Sequence, residues 1–229
     1  MNIAVIPARG GSKRIPKKNI KLFNGKPIIQ YSIELAIQSN LFERIIVSTD
    51  DIEIAAIARD CGAEVPHLRD PKYSEDHSTI HDAIRSCLVD LNYSNKDFPM
   101  YVCCILATAP LLDIKLLKLG LEKIIENKHL FVFGASEFSS PIERGFYKND
   151  KDKIQMLFPN KFQTRSQDLK KVFFDAGQFT WATLSTWLGP SVPFNEDYYP
   201  IEIPSWRVQD IDTINDWTRA ELIFKALID

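Results

Sequence analysis

The sequence lacks any long apolar run and carries little net charge. No stretch approaches the roughly 20 consecutive apolar residues that a membrane-spanning helix requires. The apolar run at residues 3–6 is short and is followed by arginine, so it does not fit a signal peptide. The formal net charge is −2, which disfavours a general nucleic-acid-binding protein. These absences predict a soluble protein of the cytoplasm.

Cysteine is scarce: the chain has four, and no two of them form a C-x-x-C pair. Cys103 and Cys104 lie in an apolar run, where a buried cysteine behaves as a small hydrophobic residue. We therefore expect all four thiols to be reduced and structural, as is usual in a reducing compartment.

The chain does have the composition and periodicity of a globular α/β protein. Its residues are 45% hydrophobic and 25% charged, which excludes a disordered chain. Apolar strand patterns alternate with amphipathic helical patterns. Strands are predicted at residues 3–6, 44–48, 101–107, 130–135 and 178–184, and helices at residues 27–40, 51–60, 79–91, 113–127 and 212–228. This alternation predicts a mostly parallel sheet with helices on both faces.

The pattern changes after residue 135. Residues 138–175 are polar and aromatic, with a short strand-like piece at 154–158, so we interpret them as an insertion. No internal repeat or low-complexity linker divides the chain, and we expect one domain over residues 1–229. Ligands of such sheets bind at the carboxyl ends of the strands.

The segment from Ala8 to Lys26 carries the densest chemical signal, because it holds seven basic residues and no acid. Gly10 and Gly11 follow the first strand directly, so their backbone N–H groups can surround an anion. A triphosphate suits several cations placed around such a loop. The spacing fits neither the P-loop nor G-x-G-x-x-G, so a different triphosphate-binding geometry is predicted. A solvated basic loop is the alternative.

This segment, which opens as IPARGGSKRIPKKNI, resembles the N-terminal signature of the CMP-sialic acid synthetase (acylneuraminate cytidylyltransferase) family. Two further segments, FQTRSQDL at 162–169 and DAGQF at 175–179, are similar to the branch of that family that activates pseudaminic acid. The resemblance covers nearly the whole chain. It implies a Rossmann-like nucleotidyltransferase fold (GT-A-like), a three-layer α/β sandwich. It also implies condensation of CTP with a nine-carbon 2-keto sugar acid, for a surface polysaccharide or flagellin glycosylation.

The resemblance implies a nucleotide site, and its residues here are Arg9, Gly10, Gly11, Ser12, Lys13, Lys18, Asn19, Arg69 and Thr79. Within this set, Arg9 and Lys13 would hold the phosphates and act in catalysis. Arg69 would lie near the cytosine, and Thr79 would read the base. Thr79 can also cap the helix that follows it.

Asp210 and Asp212 lie in the segment VQDIDT. Alternate residues of an extended segment point to the same side, and two carboxylates on one side suit Mg²⁺. The family uses this pair as metal ligands, and Asp212 as a catalytic residue. Asp212 could instead cap the last helix.

The resemblance also implies a sugar site formed by Gln163, Arg165, Asp175 and Gln178. Loop hydrogen bonds or a dimer salt bridge are the alternative for these residues. The insertion matches the part that forms the dimer interface in relatives, so we expect a homodimer. The sialic branch has glutamine at the position of Ala107, which disfavours N-acetylneuraminic acid as the substrate.

The implied reaction is attack of the anomeric 2-hydroxyl on the α-phosphorus of CTP, with loss of pyrophosphate. Charge neutralisation and positioning dominate such transfers. Three alternatives stay open. The acceptor could be N-acetylneuraminic acid or the eight-carbon acid Kdo, the chain could be a non-catalytic CTP sensor, or its basic loop could bind RNA.

Overall fold

The computed structural model describes residues 1–75, 77–91, 101–127 and 129–228. In chain order the strands are β1 (Asn2–Pro7), β2 (Leu22–Phe23), β3 (Lys26–Pro27), β4 (Arg44–Ser48), β5 (Tyr101–Ile105), β6 (Phe131–Glu137), β7 (Phe146–Lys148), β8 (Ile154–Met156), β9 (Phe173–Thr183) and β10 (Tyr198–Glu202). The helices are α1 (Ile28–Ser39), α2 (Ile52–Asp60), α3 (Ile80–Asp90), α4 (Ile114–Asn127), α5 (Leu184–Leu188) and α6 (Ile214–Ile228). Among the described residues, no helix is both long enough and apolar enough to cross a bilayer.

Six of the strands form one sheet, in the order β10-β6-β9-β5-β1-β4. β1 pairs in parallel with β4 and β5, and β10 pairs in parallel with β6. β9 is antiparallel to both of its neighbours, β5 and β6. Five strands therefore point the same way, and the prediction of a mostly parallel α/β sheet is confirmed.

Helices cover the sheet because its strands are apolar on both faces. The four inner residues of β1 are all buried. Helix α4 packs on α1 and on β6, β9 and β10, whereas α3 packs on α5, β1 and β4. Gly120 lies where α4 meets β9, and a Cβ there would come within 2.8 Å of the Trp181 ring. The buried Trp181 indole donates to the carbonyl of Leu117 at 3.1 Å, so its polar atom is satisfied.

A second, smaller core joins the two ends of the chain. Its buried members are Ile15, Phe23, Ile28, Ile211, Trp217 and Ala220. The Phe23 ring makes edge-on contacts with Tyr31, Trp217 and Phe224, with centroids 5.5 to 5.6 Å apart. This end core holds the basic first loop, the β2–β3 hairpin, the segment before α6 and α6 itself in one unit.

In the main sheet, β9 and β10 differ from the sequence prediction. β9 begins at Phe173, and its first residues pair with the end of β6, so only residues 138–172 of the proposed insertion lie outside the main sheet. β10 was not predicted, because Pro200 interrupts its pattern. Proline is tolerated there since β10 is an edge strand that pairs only with β6.

Replacement of Phe23 by alanine should destabilise the protein strongly, because the ring is fully buried among three aromatic neighbours. We expect the free energy of unfolding in urea to fall by about 3–5 kcal/mol. Leu222→Ala on the exposed side of α6 is the control, with an expected change within about 0.5 kcal/mol. If Phe23→Ala lowered the free energy of unfolding no more than Leu222→Ala, the end core would contribute little to stability.

Candidate active site

The most prominent concavity has a volume of about 310 Å³ and lies at the carboxyl ends of β1 and β5. It brings together eight residues that the sequence analysis assigned to one site: Arg9, Ser12, Lys13, Lys18, Asn19, Arg69, Thr79 and Asp212. These come from the first loop, the segment between α2 and α3, the start of α3 and the segment before α6. Parallel strands place their carboxyl ends at one edge, which is why distant segments meet here.

The first loop is held in shape by its own hydrogen bonds. The Asn19 side chain is buried and donates to the carbonyl of Arg9 at 2.9 Å. The N–H of Gly10 donates to Oδ1 of Asp50 at 2.9 Å, so in this structure it is directed to that carboxylate and not to the cavity. A Cβ on Gly10 would lie 2.7 Å from the Asp51 carboxylate. Glycine is therefore needed for the close approach of the loop to α2.

Asp50 and Asp51 make different contacts. Asp51 caps α2, because its Oδ1 accepts hydrogen bonds from the N–H groups of Glu53 at 2.7 Å and Ile54 at 3.2 Å. Asp50 lies between the first loop and the segment that joins α2 to α3, with Oδ1 at 3.8 Å from the Arg69 guanidinium. The N-cap of α2 is therefore Asp51. The role of Asp50 in fixing the loop was not predicted.

Arg69 is buried, with 6% of its surface exposed. Its Nε donates to the Ser74 hydroxyl at 2.9 Å, and its backbone N–H donates to the carbonyl of Thr49 at 2.7 Å. Burial lowers the pKa of the guanidinium, and the charge of Asp50 opposes that shift. An arginine keeps its proton in spite of such a shift, so Arg69 presents a fixed positive charge at the cavity wall.

Thr79 begins α3 in a capping box with Asp82. Its hydroxyl accepts from the N–H of Asp82 at 3.1 Å and donates to the Asp82 carboxylate at 2.7 Å. The predicted cap is therefore confirmed. The hydroxyl of Thr79 donates its hydrogen to Asp82. Recognition of the cytosine base by Thr79 stays a prediction. Ile80, which the helical pattern placed toward the core, is half exposed because it lines the cavity instead.

Two carboxylates lie near one end of the cavity: Asp212 lines it, whereas Asp210 lies close to Asp212 without lining it. Asp212 Oδ1 lies 2.7 Å from Nη2 of Arg14 and 3.4 Å from Nζ of Lys18. Surrounding protein atoms raise the pKa of Asp210, the charge of Asp212 raises it further, and Lys18 opposes the shift. Asp212 does not cap α6, since Thr213 and Asp216 exchange the capping hydrogen bonds. That alternative for Asp212 is wrong.

The carboxylates of Asp210 and Asp212 suit one mode of magnesium binding. Within the described ranges, no group of three or more His, Cys, Asp and Glu side chains is placed to hold a metal. Two carboxylates that repel each other favour a bound divalent cation, and Mg²⁺ commonly takes one or two carboxylates, with water and substrate phosphates completing its shell. Asp210 and Asp212 fit that mode of binding.

The structure separates the four residues assigned to the sugar. Gln178 is 4% exposed, and its Nε2 donates to the carbonyl of Arg207 at 3.0 Å. Asp175 lies near Asp210, whose charge adds to the effect of burial in raising the Asp175 pKa. Gln163 and Arg165 are exposed outside the main sheet, and Arg165 pairs with Asp168 at 2.7 Å. They do not line the cavity.

Several lining residues escaped the sequence analysis. They are Pro7, Arg14, Ile15, Tyr73, Ser74, Glu75, Ser78, Ile80, Ala83, Leu106 and Thr108. Ala107, which the sequence analysis considered for the choice of acceptor, also lines the cavity. Arg14 belongs to the basic loop, and the positive charge of that loop was the sequence feature that could have identified it. Ser74 and Glu75 showed no such feature in the sequence, because their position depends on how the segment between α2 and α3 folds over the loop. There the carbonyl of Glu75 accepts from Arg9 at 3.3 Å.

Comparisons with known proteins agree with this geometry. A family model described as Cytidylyltransferase matches residues 3–173. A protein named pseudaminic acid cytidylyltransferase from Campylobacter jejuni subsp. jejuni serotype O:23/36 (strain 81-176) is 42% identical over 98% of this chain and 97% of its own. N-acylneuraminate cytidylyltransferase A of Danio rerio is 34% identical over 95% of this chain and 49% of its own.

Two solved structures share the fold. A CMP:2-keto-3-deoxy-manno-octonic acid synthetase complexed with CTP aligns with a TM-score of 0.72 at 15% identity over 99% of both chains. A 4-diphosphocytidyl-2C-methyl-D-erythritol synthase from Anaerococcus prevotii aligns with a TM-score of 0.63 at 12% identity over 98% of both. Identities this low support the fold alone.

Asp50→Asn should destabilise the protein, because asparagine keeps an acceptor for Gly10 but removes the charge that faces the buried Arg69. We expect the free energy of unfolding to fall by about 1–3 kcal/mol. Asp60→Asn, the same substitution at an exposed position at the end of α2, is the control in the same urea titration. An Asp50→Asn protein as stable as wild type would contradict this role.

Proposed function

This chain belongs to the cytidylyltransferase family, and we propose that it transfers the cytidylyl group of CTP to a nine-carbon 2-keto sugar acid, with pseudaminic acid as the preferred acceptor. One observation carries the proposal. The basic first loop, the buried Arg69 and the carboxylate of Asp212 converge on a single cavity, with cations for a triphosphate and an acid for a metal ion.

The first loop is suited to the triphosphate. Arg9, Lys13 and Lys18 all line the cavity, where they would pair with phosphate oxygens in charge-assisted hydrogen bonds. Positive groups held in place before the reaction stabilise charge that develops on the leaving group. We assign Arg9 and Lys13 to the departing pyrophosphate. Asn19 shapes the loop through the carbonyl of Arg9.

The cytosine would lie between Arg69 and the start of α3. Arg69 and Thr79 both line the cavity, and the Arg69 side chain is held by Ser74. A rigid polar wall can distinguish the cytosine amino group from the uracil carbonyl, because an unpaired buried polar group is costly. The fixed charge of Arg69 suits the base carbonyl.

The reaction is a substitution at the α-phosphorus. A bond forms from the sugar 2-hydroxyl oxygen to the α-phosphorus, the bond from that phosphorus to the bridging oxygen breaks, and pyrophosphate leaves with its electrons. The hydroxyl proton passes to solvent. We propose that Asp210 and Asp212 hold a Mg²⁺ ion, which when bound neutralises phosphate charge and acidifies the attacking hydroxyl.

The acceptor would bind beside the acidic end of the cavity. Asp175 and Gln178 lie there on β9, and the carbonyl of Gln178 accepts from the N–H of Leu106 at 2.9 Å. The Gln178 Oε1 is buried, and it has no hydrogen-bond partner in the part of the chain that the structure describes. Such an acceptor can be satisfied by a hydroxyl or amide N–H of a ligand. The relatives named for pseudaminic acid favour that acceptor.

We further propose that the chain forms a homodimer through residues 138–172. This segment exposes large apolar side chains, among them Phe146, Ile154, Leu157 and Phe162. Monomeric proteins rarely display contiguous apolar groups of this kind, and such surfaces mark interaction sites. If the segment reached over a second copy, Gln163 and Arg165 would come to that copy's sugar site, where Arg165 could pair with the acceptor's carboxylate.

Pyrophosphate release from CTP and Mg²⁺ tests the reaction and the acceptor together. We expect release with pseudaminic acid and little with N-acetylneuraminic acid. Asp212→Asn should lower the rate by about 10²-fold or more, because it removes a charge at the reacting phosphate. Asp60→Asn, the same substitution at an exposed position that does not line the cavity, is its control. Release with N-acetylneuraminic acid alone would overturn the acceptor, and CTP binding without release would favour a sensor.

Substitution of the exposed apolar side chains tests the dimer. Ile154→Asp combined with Phe162→Asp should convert a dimer to a monomer in analytical ultracentrifugation, because charges cannot be buried unpaired. Leu222→Asp on α6, also an exposed apolar position, should leave the dimer intact. A dimer that survives both substitutions would place the interface elsewhere, and a monomer with full activity would show that Gln163 and Arg165 serve no partner site.

A further inference from the structure

Arg14 and Lys18 meet the same oxygen of Asp212, but they are held differently. Lys18 is largely enclosed, with 21% of its side chain exposed, and its Nζ also donates to the carbonyl of Ile211 at 2.7 Å. Arg14 lies 2.7 Å from Asp212 Oδ1, and 67% of its side chain is exposed. Lys18 is thus anchored to the backbone, whereas Arg14 is an exposed side chain that lines the cavity.

An arginine at this oxygen competes with a metal ion. A divalent cation on Asp210 and Asp212 needs the negative charge that Arg14 already neutralises, and two positive groups on one carboxylate repel each other. Arginine does not lose its proton in proteins, so the competition cannot be relieved by deprotonation. It can be relieved only by movement of the side chain.

The cavity offers Arg14 a second anionic partner once a nucleotide is bound. Arg14 lines the same cavity as Ser12 and Lys13, and it belongs to the irregular part of the loop rather than to a helix or strand. Its guanidinium can pair bidentately with phosphate oxygens as well as with a carboxylate. A change of the Arg14 rotamer is enough to move its guanidinium from the Asp212 carboxylate to the phosphates.

We propose that Arg14 is an exchangeable counter-ion of Asp212. It neutralises the carboxylate before the divalent cation arrives, releases it to the cation, and then pairs with the phosphates of the nucleotide. This rests on the proposed function, since it takes Asp210 and Asp212 as the metal site and the cavity as the nucleotide site. The exchange couples the two ligands: the cation frees Arg14 for the nucleotide, and the nucleotide draws Arg14 away from the cation's site.

The exchange predicts effects of opposite sign from one substitution. Arg14→Gln removes the competitor, so binding of Mn²⁺ to the nucleotide-free protein should tighten by about two- to fivefold, as for a partly exposed ion pair. Binding of CTP in the presence of Mn²⁺ should weaken by about tenfold, because a charge-assisted contact to phosphate is lost. If Arg14 merely supported the loop, its substitution would weaken the binding of both ligands or of neither.

The experiment measures Mn²⁺ binding by water proton relaxation and CTP binding by calorimetry, with thermal melts to confirm folding. Arg14→Lys, which keeps the charge, should resemble wild type more closely than Arg14→Gln. Lys17→Gln is the matched control, because Lys17 lies on the same loop but pairs with Glu53 and does not line the cavity. It should change neither affinity.

Asp212→Asn separates failure of this inference from failure of the proposed metal site. If Asp212→Asn does not weaken Mn²⁺ binding, the metal site itself is wrong. If it does, but Arg14→Gln leaves Mn²⁺ binding unchanged or weaker, the counter-ion role of Arg14 is overturned. Tighter Mn²⁺ binding with unchanged CTP affinity would overturn the transfer of Arg14 to the phosphates.

Discussion

The candidate site depends on the packing of the first loop against the segment that precedes α6. Ile15 and Ile211 are both fully buried in the end core, with Phe23 and Trp217 beside them. The Lys18 ammonium adds a hydrogen bond to the Ile211 carbonyl, across 193 positions of the sequence. A cationic loop and an acidic segment could not otherwise be kept within one cavity, because exposed ion pairs alone contribute little to stability.

A second constraint comes from Asp50, which connects the glycine loop to the buried Arg69. One carboxylate oxygen accepts from Gly10 and faces the guanidinium. The two ends of the cavity therefore rest on different supports. Asp50 holds Gly10 and Arg69 in place, and the end core positions the segment that carries Asp212. Between them Arg14 is the exposed member, which fits a residue that changes partner rather than one that holds the loop.

Local chemistry made much of the fold predictable. The strand at Arg44–Ser48 and the helices after Asp51 and Thr79 follow from β-branched runs and from capping residues, which act within a few positions. β10 was missed because an edge strand tolerates proline and so carries a weak pattern. The antiparallel insertion of β9 between β5 and β6 leaves no local signal either, because strand order depends on partners far apart in sequence.

For the site, the sequence by itself determined the chemistry of its parts: a glycine-containing basic loop, a capped helix at Thr79 and a pair of carboxylates at residues 210 and 212. Only the tertiary structure decided which of them meet. It directed the Gly10 amide to Asp50, paired Arg14 with Asp212, and left Gln163 and Arg165 outside the cavity. The physical reason is that residue type and spacing govern short-range hydrogen bonding and charge. Contacts between segments separated by nearly 200 residues depend on how the whole core packs.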